Sequence, residues 1–428
     1  MKALALRLSG ATPKELAAAL WAFVYFLALL ASYYVLRPIR DEMAMQVGAG
    51  ALQELFSAVF LSMLVLVPVF GWLTRRFPRR RLLPWLYAFC VANLIGFYAV
   101  FETGGHPGPL LARVLYVWVS VFNLFVVSVF WSFMADLFDT EQAQRLYGFI
   151  AAGGTVGALL GPLLTAGLVR LVGAKLLMLV SAALLGLAIV AILRLRAWAR
   201  HTGATGQTAP EGEEQVLAGG VWSGLGEVCR SGYLLAICAF LFSYALLSTF
   251  LYFQSAELLP RHIADSAVRT QLLAQIDLAV NVLTLLVQTA AFGRLIRRLG
   301  TRALLAAMPL VSLLGFAVFA LWPVLGVLVG FGVLRRAGEY SISKPARETL
   351  FNALPAAQKY RAKNVIDTLV HRTGDTASAW MFNGLRALGW SAGQIAWLSV
   401  PLAAAWLGIA LWLGTQAETL QSRRSGAV

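Results

Sequence analysis

The sequence predicts an all-α polytopic membrane protein of about twelve transmembrane helices in two six-helix halves. Three observations predict it. Of 428 residues, 59% are hydrophobic and 13% charged, whereas soluble domains hold about 45–50% apolar and about 25% charged residues. A spanning helix takes roughly 20 residues, so twelve need about 240, close to the hydrophobic total. A single long polar interval then divides the chain near its middle.

The elements follow in order. Lys2, Arg7 and Lys14 precede an apolar run that reaches Leu36 without a small-residue cleavage site, so it reads as a first span, 17–40, and not as a signal peptide. Polar punctuation bounds five more runs at 52–73, 82–101, 110–135, 148–172 and 174–194. The interval 195–231 holds a Gly/Thr/Ala-rich stretch from His201 to Pro210 and the acidic Glu211, Glu213 and Glu214. Such a composition cannot build a core, so it reads as a linker between residues 1–194 and 232–428. Six further runs lie at 232–254, 271–292, 303–322, 323–342, 364–388 and 391–414.

Net charge is +15, from 35 Lys and Arg against 20 Asp and Glu. In a soluble chain that excess would suggest nucleic acid. Here about 24 of the 35 basic residues fall in the N-terminus, the even-to-odd connections, the central interval and the C-terminus. By the positive-inside rule both termini and the linker are cytoplasmic, and the expected location is a bacterial inner membrane. Cys90, Cys229 and Cys238 offer no disulfide framework.

A motif recurs across the midpoint. Phe70-Gly71-Trp-Leu73-Thr-Arg75-Arg76, leading to Leu82-Leu83, returns as Phe292-Gly293-Arg-Leu295-Ile-Arg297-Arg298, leading to Leu304-Leu305, at an offset of 222. Basic turns look alike in many membrane proteins, but matched Phe-Gly, Arg-Arg and Leu-Leu pairs in register favour duplication. Duplicated six-helix halves with a Gly…Arg-Arg loop after the second span resemble the major facilitator superfamily. That resemblance implies a transporter, not an enzyme, with a midplane site and alternating access.

Ionisable groups inside spans are costly and mark functional candidates. In the first span Tyr33, Arg37 and Arg40 share a stripe, with Asp41 one turn beyond Arg37 and able to pair with it. An Arg fork suits phosphate or carboxylate; snorkelling at the membrane boundary is the alternative. The eighth span carries Asp277, Asn281, Thr284 and Gln288, and the eleventh carries Asn364, Asp367, His371, Asp375 and Ser378, at steps of three or four. Continuous polar stripes suit helices that face water inside a bundle, while interhelical hydrogen bonding is the structural alternative. His371 has carboxylates one turn to either side, which permits a relay; an acid–base pair of His371 and Asp375 in a membrane enzyme lacks any accompanying nucleophile or metal-ligand cluster. Arg335 and Glu339 stand at i,i+4 and read as a structural ion pair, leaving Arg336 and Glu339 as cavity candidates. Tyr244, Ser248 and Tyr252 form a face able to stack on a ring, and Asn123 is a further candidate in the fourth span. Gly153, Gly157 and Gly161 form a small-residue stripe that close helix packing explains. No strand precedes them, which excludes a nucleotide loop.

Three segments together resemble the ATP/ADP translocase family. Tyr34-Val-Leu36-Arg37-Pro-Ile-Arg40-Asp41 is similar to its Tyr-x-x-Leu-Arg-x-x-Lys-Asp. Phe130-Trp131-Ser-Phe133-Met-Ala135-Asp136 and Glu141-Gln-Ala143-Gln-Arg145-Leu-Tyr147 resemble its Phe-Trp-x-Phe-Ala-Asn and Glu-Ala-x-Arg-Phe-Tyr. Arg347-Glu348-Thr-Leu350-Phe351 and Tyr360-Arg361-Ala362-Lys363-Asn-Val-Ile366-Asp367 resemble its Lys-Glu-Met-Leu-Tyr and Tyr-Lys-Ala-Lys-x-x-Ile-Asp. Two departures bear on cargo: Arg40 replaces a lysine and keeps its charge, and Gly374-Asp375 replaces Gly-Lys and reverses it.

The expected function is secondary active transport of an anionic or zwitterionic solute, phosphorylated or nucleotide-like. Arg37, Arg40 and Arg336 would bind the anion, Tyr33, Tyr244 and Asn123 would orient the solute, and Asp277, Glu339, Asp367, His371 and Asp375 would supply counter-charge or proton coupling. The alternatives are a proton-coupled exporter of amphipathic metabolites or lipids and a non-transporting membrane sensor. No cofactor, metal or nucleic acid is expected. The partners are a small solute, a coupling proton or counter-substrate and the bilayer, with the protein a monomer.

Overall fold

The structure, a computed structural model, describes residues 11–76, 79–103, 108–202, 226, 228–290, 292–351, 354, 362, 363, 366 and 370–425. Among the described residues every regular element is helical. The first helices are α1 (Leu16–Val47), α2 (Leu52–Arg76), α3 (Arg79–Thr103), α4 (Pro109–Leu137) and α5 (Thr140–Thr202). Then come α6 (Gly232–His262), α7 (Ser266–Ala290), α8 (Phe292–Leu321) and α9 (Leu325–Gly338). A π-helix (Glu339–Ser343) leads into α10 (Lys344–Leu350), followed by α11 (His371–Ala387) and α12 (Ala392–Ser425).

Among the described residues nine helices are long and apolar enough to cross a membrane. One of them, α5, has 63 residues and is two spans: at Gly173 the backbone takes a φ of 76°, and only glycine enters that region without a steric penalty. Gly300, with φ 74°, turns the chain in the same way inside α8. The continuous helical stretch 325–350 and α11 supply the tenth and eleventh spans, which completes the all-α polytopic fold of about twelve. Of the expected linker, residues 195–202 continue α5 as helix, while 203–225 and 227 lie outside the described residues.

Two compact units are present. The first comprises Met1–Val47, Leu61–Glu211 and Ile263–Leu278; the second comprises Gly48–Phe60, Gly212–His262 and Ala279–Val428. Relative to the linear division at 195–231, the first unit gains the beginning of α7 and the second gains the beginning of α2.

In the first unit α1 lies along both limbs of α5, and small residues set the distance. A Cβ at Gly153 would run into the carbonyl oxygen of Phe23, at Gly157 into that of Leu27, and at Gly161 into Ala31 and Tyr34. Close backbone approach of this kind is the usual basis of helix association in lipid. Hydroxyls tie the contact further: Ser32 and Ser181 share a bond of 2.7 Å, and Thr165 donates to the carbonyl of Val35 at 3.3 Å. Tyr25 and Tyr87 join their hydroxyls at 2.8 Å inside a ring cluster with Phe130 and Phe133.

In the second unit α8 packs on α12, where Gly414 leaves room for the backbone of Arg302. Helix α6 packs on α11 and α12, with Phe250 and Phe253 edge-on or tilted against Phe382. On the first unit, Leu61, Leu64, Val65, Val67 and Val69 of α2 are exposed, as suits a helix whose solvent is lipid.

Candidate substrate site

The second unit gathers a polar cluster around Tyr244, midway along α6. The guanidinium of Arg335, near the end of α9, lies over the Tyr244 ring at 5.1 Å from its centroid. The His371 ring stands 6.1 Å from the same ring and the Trp406 ring 6.2 Å. His371 in turn meets Asp375 one turn along α11, Nδ1 to Oδ2 at 3.3 Å. Gly374 places both residues there: a Cβ on it would stand 3.1 Å from the Cβ of Ala245, so α11 lies close against α6 at this level.

Arg335 is 2% exposed, and neither its Nε nor its Nη1 has a hydrogen-bond partner among the described residues. Glu339 is 5% exposed and its Oε2 is likewise without one. The spacing predicts that these two residues pair. Among the described residues they form no ion pair, and the guanidinium is drawn over Tyr244. Gln288 of α7 donates to the carbonyl of Tyr340 within that π-helix at 3.1 Å. Arg336 is half-buried beside Arg335. An unpaired charge of this depth is costly, and a carboxylate or phosphate suits the planar N–H fork of an arginine.

The first unit holds a second set. Arg37 Nε lies 3.6 Å from Asp277 Oδ2, and its guanidinium is 5.8 Å from the Tyr34 ring. Asp41 accepts from its neighbour Arg40 at 3.0 and 2.7 Å. Asp277, the carboxylate facing Arg37, is itself buried. Arg40 also lies 5.4 Å over the Tyr116 ring. Tyr33 is buried against Tyr34.

The remaining candidates are placed as follows. Asn123 is half-buried on α4, and the described contacts place it in neither set. Tyr252, on the same helix as Tyr244, packs on Phe56 and Phe253. The polar stripe of α7 is divided too, with Asp277 in the first unit and Asn281, Thr284 and Gln288 in the second. Asp367 and Asn364 lie outside the described residues. Among the described residues no three His, Cys, Asp or Glu side chains gather to hold a metal ion. The sequence offered no signal for Trp406, and it gave Arg335 to an ion pair that does not form.

Residues 16–338 match the sequence model of the Major Facilitator Superfamily. The chain belongs to the Major Facilitator Superfamily. No curated protein matches it significantly in sequence. Several solved major facilitator-like structures share the fold. A POT family transporter, PepTSo, superposes with a TM-score of 0.63 at 15% identity, covering 95% of this chain and 98% of that one. A bacterial homologue of the iron transporter ferroportin, inward-facing, gives 0.66 at 14% identity, covering 95% and 99%. The nucleoside transporter NupG gives 0.59 at 13% identity, covering 95% and 99%. At these identities the likeness is one of fold. A major facilitator protein with this many apolar helices is a multi-pass membrane transporter of a small molecule.

Proposed function

We propose that this major facilitator protein is a secondary transporter working by alternating access, whose solute presents an anionic group to Arg335. The observation that carries the reading is the buried guanidinium of Arg335, held over Tyr244 with two N–H groups unpartnered. Tyr244 fixes the fork from one side, so an incoming carboxylate or phosphate meets a preorganised donor pair. Residues 1–194 and 232–428 act as the two halves about the 195–231 linker, with both termini in the cytoplasm of a bacterial cell. Arg37, Arg40, Tyr33 and Asp277 of the first unit, with Asn123 and Arg336, contribute to solute binding or counter-charge. The three motif resemblances to ATP/ADP translocases support a phosphorylated or nucleotide-like solute, while Asp375 in place of that family's lysine argues against ATP/ADP exchange itself. Uptake or exchange in proteoliposomes tests this. Import or counterflow of at least one nucleotide, sugar phosphate or organic anion is expected, and transport of none of them refutes it.

A second reading is a proton-coupled exporter of amphipathic metabolites, favoured by the His371–Asp375 pair beside Tyr244. Export driven by a pH gradient, lost in Asp375→Asn and not inhibited by any anion, would establish it in place of the first.

A further inference from the structure

Arg335 and Glu339 are four positions apart, the spacing at which Arg and Glu close a pair along an α-helix. Both are buried, and they do not meet. Each is held by its own surroundings. Tyr244 holds the guanidinium. Glu339 ends the α-helical turn that starts at Arg335, its amide donating to the Arg335 and Arg336 carbonyls, and opens the π-helix that follows. That segment is itself held: Gln288 bonds the Tyr340 carbonyl, and a Cβ at Gly338 would run into the sulfur of Met308.

What is left unpartnered is of opposite kind: two N–H donors on Arg335 and one carboxylate oxygen on Glu339. A solute carrying only a negative charge would satisfy the arginine and bring a second anion beside the buried carboxylate, which like charges in low dielectric oppose. A solute carrying an ammonium group as well satisfies both. We infer that the transported solute is a zwitterion, its carboxylate or phosphate on Arg335 and its ammonium on Glu339. The inference rests on the reading of Arg335 as the anion site.

The test uses the purified full-length protein and two matched pairs of probes. Glycylglycine is set against N-acetylglycylglycine, and O-phosphoethanolamine against ethyl phosphate, with binding read by ligand-dependent thermal shift. At least one zwitterion should bind wild type about tenfold or more tighter than its amine-free partner, and which pair responds separates a carboxylate solute from a phosphate one. In Glu339→Gln, an isosteric change, the preference should vanish, with the zwitterion weakened and the amine-free anion binding tighter, an opposite pair of effects that a folding defect cannot produce. If amine-free anions bind wild type as tightly as the zwitterions and lose that binding in Arg335→Gln, the zwitterion is refuted and the anion site stands. If no probe binds in an Arg335-dependent way, both readings fall.

Discussion

Glu42 near the end of α1 grips Arg269 in the first turn of α7, with Arg269 Nε on Oε2 at 2.9 Å and Nη2 on Oε1 at 2.5 Å. The remaining nitrogen, Nη1, donates to the carbonyls of Ile263 and Ala264 at 2.7 and 2.8 Å. Gln46 bridges Glu42 and Ser266 at the edge of the same contact. Both charges are buried and fully occupied, with Glu42 0% exposed. Removing one partner strands the other, so Arg269→Ala should lower stability by about 3–5 kcal/mol. The double variant Glu42→Met with Arg269→Met should recover most of that loss. Thermal unfolding of the detergent-solubilised protein reads both.

The glycines of α5 make a second, sharper comparison. A Cβ on Gly157 would collide with the Leu27 backbone, whereas Gly148 on the same helix has nothing within 4 Å of its position. Gly157→Ala should therefore destabilise by about 1–3 kcal/mol through overpacking. Gly148→Ala should be neutral or gain up to about 1 kcal/mol from helix propensity. Equal effects at the two sites would mean that α1 and α5 are not in backbone contact.

Outside the spans, Glu15 clasps the start of α5. Partial burial alone would raise its pKa; the Thr12 amide, Arg145 and Gln142 outweigh it and hold the carboxyl down to about 2 from an ordinary 4.5. Because the folded value lies below the unfolded one, the stabilisation is fully present above the unfolded value and fades as pH falls toward about 2. Melting temperatures of wild type and Glu15→Gln should differ at pH 7 and converge as the solution is acidified through that window.

The His371–Asp375 pair leads to a prediction about driving force. Histidine is the side chain that ordinarily changes charge near neutral pH, and here it touches both a carboxylate and the ring that carries Arg335. Asp375→Asn should abolish accumulation driven by a pH gradient in proteoliposomes while leaving counterflow of solute measurable. Unchanged gradient-driven accumulation in Asp375→Asn would remove this pair from coupling.

Much of the fold was legible because hydrophobic length and basic-loop placement are local signals, and the fold in lipid depends on little else. The glycine stripe was legible for the same reason, since Gly153, Gly157 and Gly161 share one helical face whatever packs on it. Partners were not. Arg37 meets Asp277 on a helix remote in sequence, which helical spacing within one span does not reveal. Spacing also paired Arg335 with Glu339, but the Arg335 guanidinium is drawn over the Tyr244 ring of a helix remote in sequence. Arg336 was therefore preferred where Arg335 is the residue set against Tyr244. The Glu42–Arg269 clasp joins residues 227 apart and had no sequence signal at all.

Arg335 takes the anionic group of the solute in the transport cycle proposed above. That role is tested most directly by solute affinity in wild type, Arg335→Lys and Arg335→Gln, measured by calorimetry on the purified protein with an anion shown to be transported. Arg335→Gln should lose at least about 100-fold, as expected when a charged hydrogen-bonding partner is removed from a buried site, with partial retention in Arg335→Lys, which keeps the charge and loses the fork. Affinity in Arg335→Gln equal to wild type, in protein that still unfolds cooperatively, would contradict it.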